Sequence, residues 1–145
     1  MTPIVAVVAP RLLPIALVVA AALIAKGYID VGEGFGAGVI VGLAAGLRYV
    51  VLGPERADRS LPIARRAGVI AHVGLLIALG CGFVGILFGE PPFTHYPLPG
   101  EPVYKIGRLE LTTAVGFDVG LFLLVVGVVV LLIRELSRLV AEAEP

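Results

Sequence analysis

Four long apolar stretches, parted by short polar ones, limit what this chain can become. They run over about Leu12–Tyr28, Phe35–Leu52, Ala67–Phe88 and Thr112–Ile133. About 18 apolar residues wound as a helix, each rising about 1.5 Å, are enough to cross a hydrocarbon core of roughly 30 Å. The pattern predicts an all-α fold: an integral membrane bundle of four transmembrane helices, forming a single membrane domain over residues 1–145. Composition agrees, with 59% hydrophobic residues, 15% charged residues and a mean hydropathy of +1.04, far from the balance of a water-soluble domain. The first stretch is the shortest unless Ile4–Ala9 extends it, and Pro10 and Pro14 are expected to bend it or mark its start. An apolar run behind Arg11 with an alanine-rich end also fits a signal peptide; we read it as a retained span.

Four spans place both termini on one side, together with the loop between the second and third. That side carries Arg11, Arg48, Arg56, Arg59, Arg65, Arg66, Arg134 and Arg138, against Lys26, Lys105 and Arg108 on the other. Basic residues accumulate on the cytoplasmic face, so both termini are expected in the cytoplasm of a multi-pass protein of the cell membrane. The outer loop, Gly89–Leu111, is rich in proline and aromatic residues, which suits an extended cover at the interface and is too short for a catalytic domain. Arg134, Glu135 and Arg138 are read as a polar helical extension of the fourth span that anchors it in the cytoplasm.

Gly34, Gly38, Gly42 and Gly46 recur every four residues and so share one face of the second span, where another backbone can come close. Gly116 and Gly120 repeat that spacing in the fourth span, and the third holds Gly74, Gly80, Gly82 and Gly85. These faces serve either packing within the chain or docking of a larger partner. Two ionisable side chains lie well inside spans: His72 and Asp118. A carboxylate there is unfavourable by about 2.5–3.5 kcal/mol on insertion scales, so it faces protein, water or an ion path. Asp118 is therefore the leading candidate for a proton or ion path, with packing through a hydrogen-bonded aspartate as the alternative. Helical rise puts Asp118 near the outer end and His72 near the inner end, roughly 13 Å apart in depth and too far for direct contact. His72 reads as a relay group or as an imidazole bonded to a carbonyl or partner helix. Asp30 and Glu33 lie in the glycine-rich outer turn beside Lys26, either attracting cations at an external mouth or simply solvated.

Other chemistries lack their residues. Formal net charge is zero, which leaves no basic surface for nucleic acid. Cys81 is the only cysteine, and His95 lies in the outer loop away from His72, so no disulfide, metal site or cofactor is expected. The glycines from Gly32 to Gly38 follow a membrane span rather than a strand, and no phosphate-binding loop or nucleophile elbow is present. No enzyme activity is expected.

The segment Gly27–Gly38, GYIDVGEGFGAG, resembles the GHNxPGGGFQxG-like turn of MnhB-type subunits of Mrp cation/proton antiporters. LTTAVGFDVGLFLLVVG in the fourth span adds to the likeness, which extends over nearly the whole chain. Tyr28, Ile29, Val31, Glu33 and Gly36 depart from the first pattern. The resemblance implies a subunit of a multisubunit antiporter that exchanges protons for a monovalent cation, Na⁺ in the first instance, and assembles with large membrane subunits in a lipid bilayer. It implies Gly32, Gly34, Phe35 and Gly38 as turn residues and Asp118 as the polar residue in the membrane. Related modules occur in membrane-bound hydrogenases and similar redox-driven pumps, which makes these the alternative host; a purely structural assembly component is the alternative of a different class.

Overall fold

The computed structural model describes residues 3–26, 32–98, 100, 102, 105–106, 109–110 and 112–143. Its long helices are α1 (Pro3–Lys26), α2 (Glu33–Leu52), α4 (Ala67–Phe83) and α5 (Thr113–Ala143). Between α2 and α4 lie the short α3 (Pro54–Ser60) and a 3₁₀ segment, Pro62–Arg66. A second 3₁₀ segment, Val84–Phe88, extends α4, and a two-residue antiparallel ladder pairs Lys105 with Glu110 and Ile106 with Leu109. Four segments are long and apolar enough to cross a membrane: Val7–Lys26, Glu33–Leu52, Pro62–Phe88 and Thr113–Ala143. The expected all-α bundle of four spans is what the chain forms. Helix α1 starts earlier than expected, because Pro3 sits in the first turn, where a missing N–H breaks no bond, and the helix continues through Pro10 and Pro14.

The helices stand in the order α1, α2, α5, α4, with α5 packed on both α2 and α4. Helices α1 and α4 do not pack on each other, and the gap between them leads to an apolar cavity of about 290 Å³ walled by Leu13, Leu17, Val41, Ile70 and Val126, among others.

Glycine sets how close these helices come. A Cβ on Gly34 would collide with the Asp118 backbone carbonyl; one on Gly38 would lie 2.8 Å from Val125, on Gly42 2.9 Å from Val129, and on Gly46 inside the Ile133 side chain. The whole glycine face of α2 is thus occupied by α5 and is not left open for a partner. The other side of α5 does the same toward α4. A Cβ on Gly120 would come within 2.6 Å of the Ala78 amide nitrogen, on Gly127 within 2.5 Å of that of Ala71, and on Gly116 within 2.7 Å of the Cys81 sulfur. Gly74 meets the α5 backbone in return. With no gain from removing apolar side chains from water, van der Waals contact at backbone distance is what holds such helices together.

At the end of the bundle away from α3, the loop between α4 and α5 folds back over both helices. The Phe93 N–H donates to Gly82 O at 2.6 Å, and the Tyr96 N–H donates to the Thr113 hydroxyl at 2.7 Å. Phe93 stands edge-on to Phe117 at 6.0 Å between ring centres. Over these residues the loop packs on the ends of α4 and α5.

Candidate functional site

Asp118 is the sixth residue of α5, about 7.5 Å along the axis from Thr113, and is only 3% exposed. It faces the first turn of α2. That turn begins at Gly32 with φ of +116°, a backbone state that side-chain-bearing residues rarely adopt, and its N–H donates to Asp118 Oδ2 at 3.0 Å. Gly32 has no side chain to cap α2, so α5 provides the acceptor across the helix pair. The positive end of the α2 dipole favours a carboxylate there. Asp118 Oδ1 is buried and has no hydrogen-bond partner among the described residues. Oδ2 thus ties the two helices together.

Glu33 follows Gly32 in the chain and is paired at 2.8 Å with Lys26 at the end of α1. Its charge is thus engaged by the neighbouring helix. Asp30 lies outside the described residues. Phe35 is exposed on α2, pointing away from the α2–α5 contact. His72 sits on the outward face of α4, its Nδ1 2.7 Å from the carbonyl of Gly68 one turn earlier. The structure brings Gly32, Gly34 and Asp118 together and keeps His72 apart from them.

A second buried acid was not singled out from sequence. Asp58 in α3 is 6% exposed and accepts from four groups. Arg134 donates in a fork, Nε to Oδ1 at 2.9 Å and Nη2 to Oδ2 at 3.1 Å, while Arg138 Nη2 donates to Oδ2 at 3.0 Å and the Tyr49 hydroxyl to Oδ1 at 2.8 Å. Arg65 Nε lies 3.9 Å from Oδ2. The hydrogen bond from the Arg134 guanidinium holds the Asp58 carboxyl down at about 2, against the opposing effect of burial. Arg134, in the polar extension of the fourth span, is buried and clamps α3 to α5. The available signal was a lone acid between Arg56 and Arg59, with Arg134 and Arg138 one turn apart on a single helix face.

Fold and site together define a small multi-pass membrane protein whose helices are locked by glycine and which, among the described residues, buries an acid, Asp118, within a span. The family profile described as the domain related to the MnhB subunit of Na⁺/H⁺ antiporter matches residues 4–131. The chain is 33% identical over 112 residues to the B subunit of the Na⁺/H⁺ antiporter of Alkalihalophilus pseudofirmus, covering 77% of this chain and 76% of that protein. Against the B subunit of the Na⁺/H⁺ antiporter of Bacillus subtilis it is 30% identical over 120 residues, 80% of this chain and 79% of the relative. A fused A/B subunit of a probable K⁺/H⁺ antiporter of Rhizobium meliloti is 32% identical over 134 residues, which is 92% of this chain but 13% of that much longer protein. The chain belongs to the MnhB family. It is a membrane component of an Mrp-type antiporter, part of a transporter, and its partners are other antiporter subunits.

Proposed function

We propose that the chain serves the antiporter both as a rigid spacer and as a point where the transported proton or cation is held, with Asp118 as the holding group. The observation that carries this reading is the buried Asp118 Oδ1, without a donor among the described residues, beside Oδ2 fixed by the Gly32 N–H. An unsatisfied buried acceptor is unfavourable by about 1–3 kcal/mol, so a proton, a water or a monovalent cation at this atom gains that much. Glu33, whose charge is paired with Lys26, would hold α1 against the start of α2 beside this site. Na⁺ is the cation we assign, following the names of two of the relatives; the name of the fused relative makes K⁺ the species to measure beside it. That relative joins the A and B components in one polypeptide, which favours an A-type neighbour here. Residues 1–145 act as one domain without a reaction of their own, in the cell membrane, with both termini and the Arg56–Arg66 loop in the cytoplasm.

The test is Asp118→Asn and Asp118→Glu, read as cation-dependent proton flux in everted vesicles with the abundance of the assembled complex measured in parallel. Asparagine keeps an acceptor for the Gly32 N–H but binds neither a proton nor a cation as a carboxylate does. The expected outcome is normal assembly with flux lowered at least about tenfold, equivalent to about 1.4 kcal/mol, or a displaced pH profile. Glutamate retains part of the activity. A purely structural Asp118 requires the opposite: full flux with Asn and disturbed assembly with Glu. Normal flux and pH profile in a fully assembled Asp118→Asn complex reject the holding role.

A further inference from the structure

The cavity between α1 and α4, about 290 Å³, is lined throughout by apolar residues and glycine. Its deep walls Val41, Ala45 and Val130 are at most 5% exposed, while Leu17 and Ile63 at its rim are 48% and 60% exposed. It therefore opens sideways, toward whatever surrounds the spans. The lining runs from Phe122 to Val130 on α5, about 12 Å along that helix, so the space is drawn out along the bundle. Water does not fill such a space: an apolar cavity of about 150 Å³ stays dry yet takes up hydrocarbon. Left empty, its walls forgo their dispersion contacts. In a bilayer the hydrocarbon at hand is a lipid tail. Charge marks the end of the cavity nearest α3, where Leu61, Ile63 and Ala64 close it and the chain runs directly on into Arg65 and Arg66. Arg66 caps α4 one turn before the lining residue Ile70. Both arginines are exposed. The acids beside them are engaged elsewhere, Asp58 by Arg134, Arg138 and Tyr49, and Glu55 by Arg59, which leaves Arg65 at 3.9 Å from Asp58. A guanidinium matches the oxygens of a phosphate with a fork of donors, and basic clusters at the ends of spans attract anionic lipids.

We propose that this space is a binding site for one anionic phospholipid. An acyl chain lies between α1 and α4 against Val41, Ala45 and Val126, and Arg65 and Arg66 hold the headgroup phosphate. The lipid supplies the α1–α4 contact that the chain itself does not make. The inference needs only a chain that spans a membrane, and it stands whether or not Asp118 holds an ion.

The test reconstitutes the antiporter complex, tagged on this chain, into vesicles holding a trace of phosphatidylglycerol or phosphatidylcholine with the same diazirine on one acyl chain. After irradiation, adducts are mapped by peptide mass spectrometry. Val41 and Ala45 lie too deep for bulk lipid to reach, so adducts there report the site. They should be at least about threefold stronger from phosphatidylglycerol, whereas Val18, 70% exposed on α1, should label equally from both lipids. Arg65→Gln with Arg66→Gln should remove that preference in an intact complex. Leu17→Trp, which blocks the rim, should lower labelling of Val41 by both lipids at least about threefold. An absence of adducts at Val41 and Ala45, equal labelling there by the two lipids, or an unchanged preference in the double arginine variant overturns the site. So does a preference abolished by excess inorganic phosphate, which would make the arginines a site for the free anion.

Discussion

Replacing Asp58 with asparagine removes one charge from a buried cluster and leaves every neighbour in place, which makes it a sharp test of what joins the α3 loop to the bundle. The fall of the carboxyl from 3.8 to about 2 corresponds to about 2 kcal/mol, at roughly 1.4 kcal/mol per tenfold change in proton affinity. Breaking a buried pair by removing one partner costs about 3–5 kcal/mol, because the other charge stays buried. The buried Arg134 keeps Glu135, 2.9 Å from its Nη1, and Arg65 and Arg138 reach solvent and can turn to it. Asparagine also keeps an acceptor for Tyr49. The expected loss for Asp58→Asn is therefore nearer the lower figure, about 2–3 kcal/mol.

The assay is reversible unfolding of the full chain in mixed micelles by increasing sodium dodecyl sulfate, followed by far-ultraviolet circular dichroism. Because the folded carboxyl titrates lower than the unfolded one, its contribution is complete above about pH 5 and disappears as pH falls toward 2. The unsubstituted chain should lose stability over that window, and the Asp58→Asn chain should lack that component. Arg134→Gln should cost a similar amount, and the two changes together little more than either alone, a coupling of at least about 1 kcal/mol. Additive losses, or an unchanged acid profile in Asp58→Asn, would refute the clamp.

Other outcomes follow from the same geometry. Gly38→Leu with Gly42→Leu should block complex assembly, since each side chain would have to enter space held by Val125 and Val129; an intact, active complex contradicts the α2–α5 contact. Gly36→Ala meets nothing within 4 Å and should be neutral or stabilising by up to about 1 kcal/mol in the same unfolding assay. Lys26→Gln breaks an ion pair whose lysine is mostly exposed and should shift stability by less than about 1 kcal/mol. Ser60→Cys, in a Cys81→Ala background, should react with impermeant maleimide only from the cytoplasmic side; labelling only from outside reverses the topology.

What could be read in the sequence and what could not divide along a physical line. Hydropathy reports burial in lipid, so the four spans were visible, and the four-residue glycine period reports a helix face, so α2's close contact was visible too. Neither reports which helix fills that face. The answer, α5 on both sides, depends on Val125, Val129 and Ile133 facing α2 while Gly120 and Gly127 face α4, and the sequence of α5 reads as uniformly apolar around those glycines. Asp118 stood out because an acid is rare among apolar residues, but its partner is a backbone N–H on Gly32, and a backbone donor has no sequence signature beyond the glycine that permits its conformation. Asp58 stayed hidden for the converse reason: it lies among charges, where one more acid looks solvated, and only the fold shows that Arg134 and Tyr49 close over it.

The two acids also explain why α5 is the centre of the molecule. Near its N-terminal end Asp118 receives the start of α2, and toward its C-terminal end Arg134 receives α3 through Asp58, so one helix fixes both ends of the α2–α3 segment. At Asp58 both carboxylate oxygens have donors. At Asp118, among the described residues, one oxygen has. The α2–α3 segment is thus held to α5 by hydrogen bonds at both ends, and between them by the close contacts that the glycines of α2 make with α5.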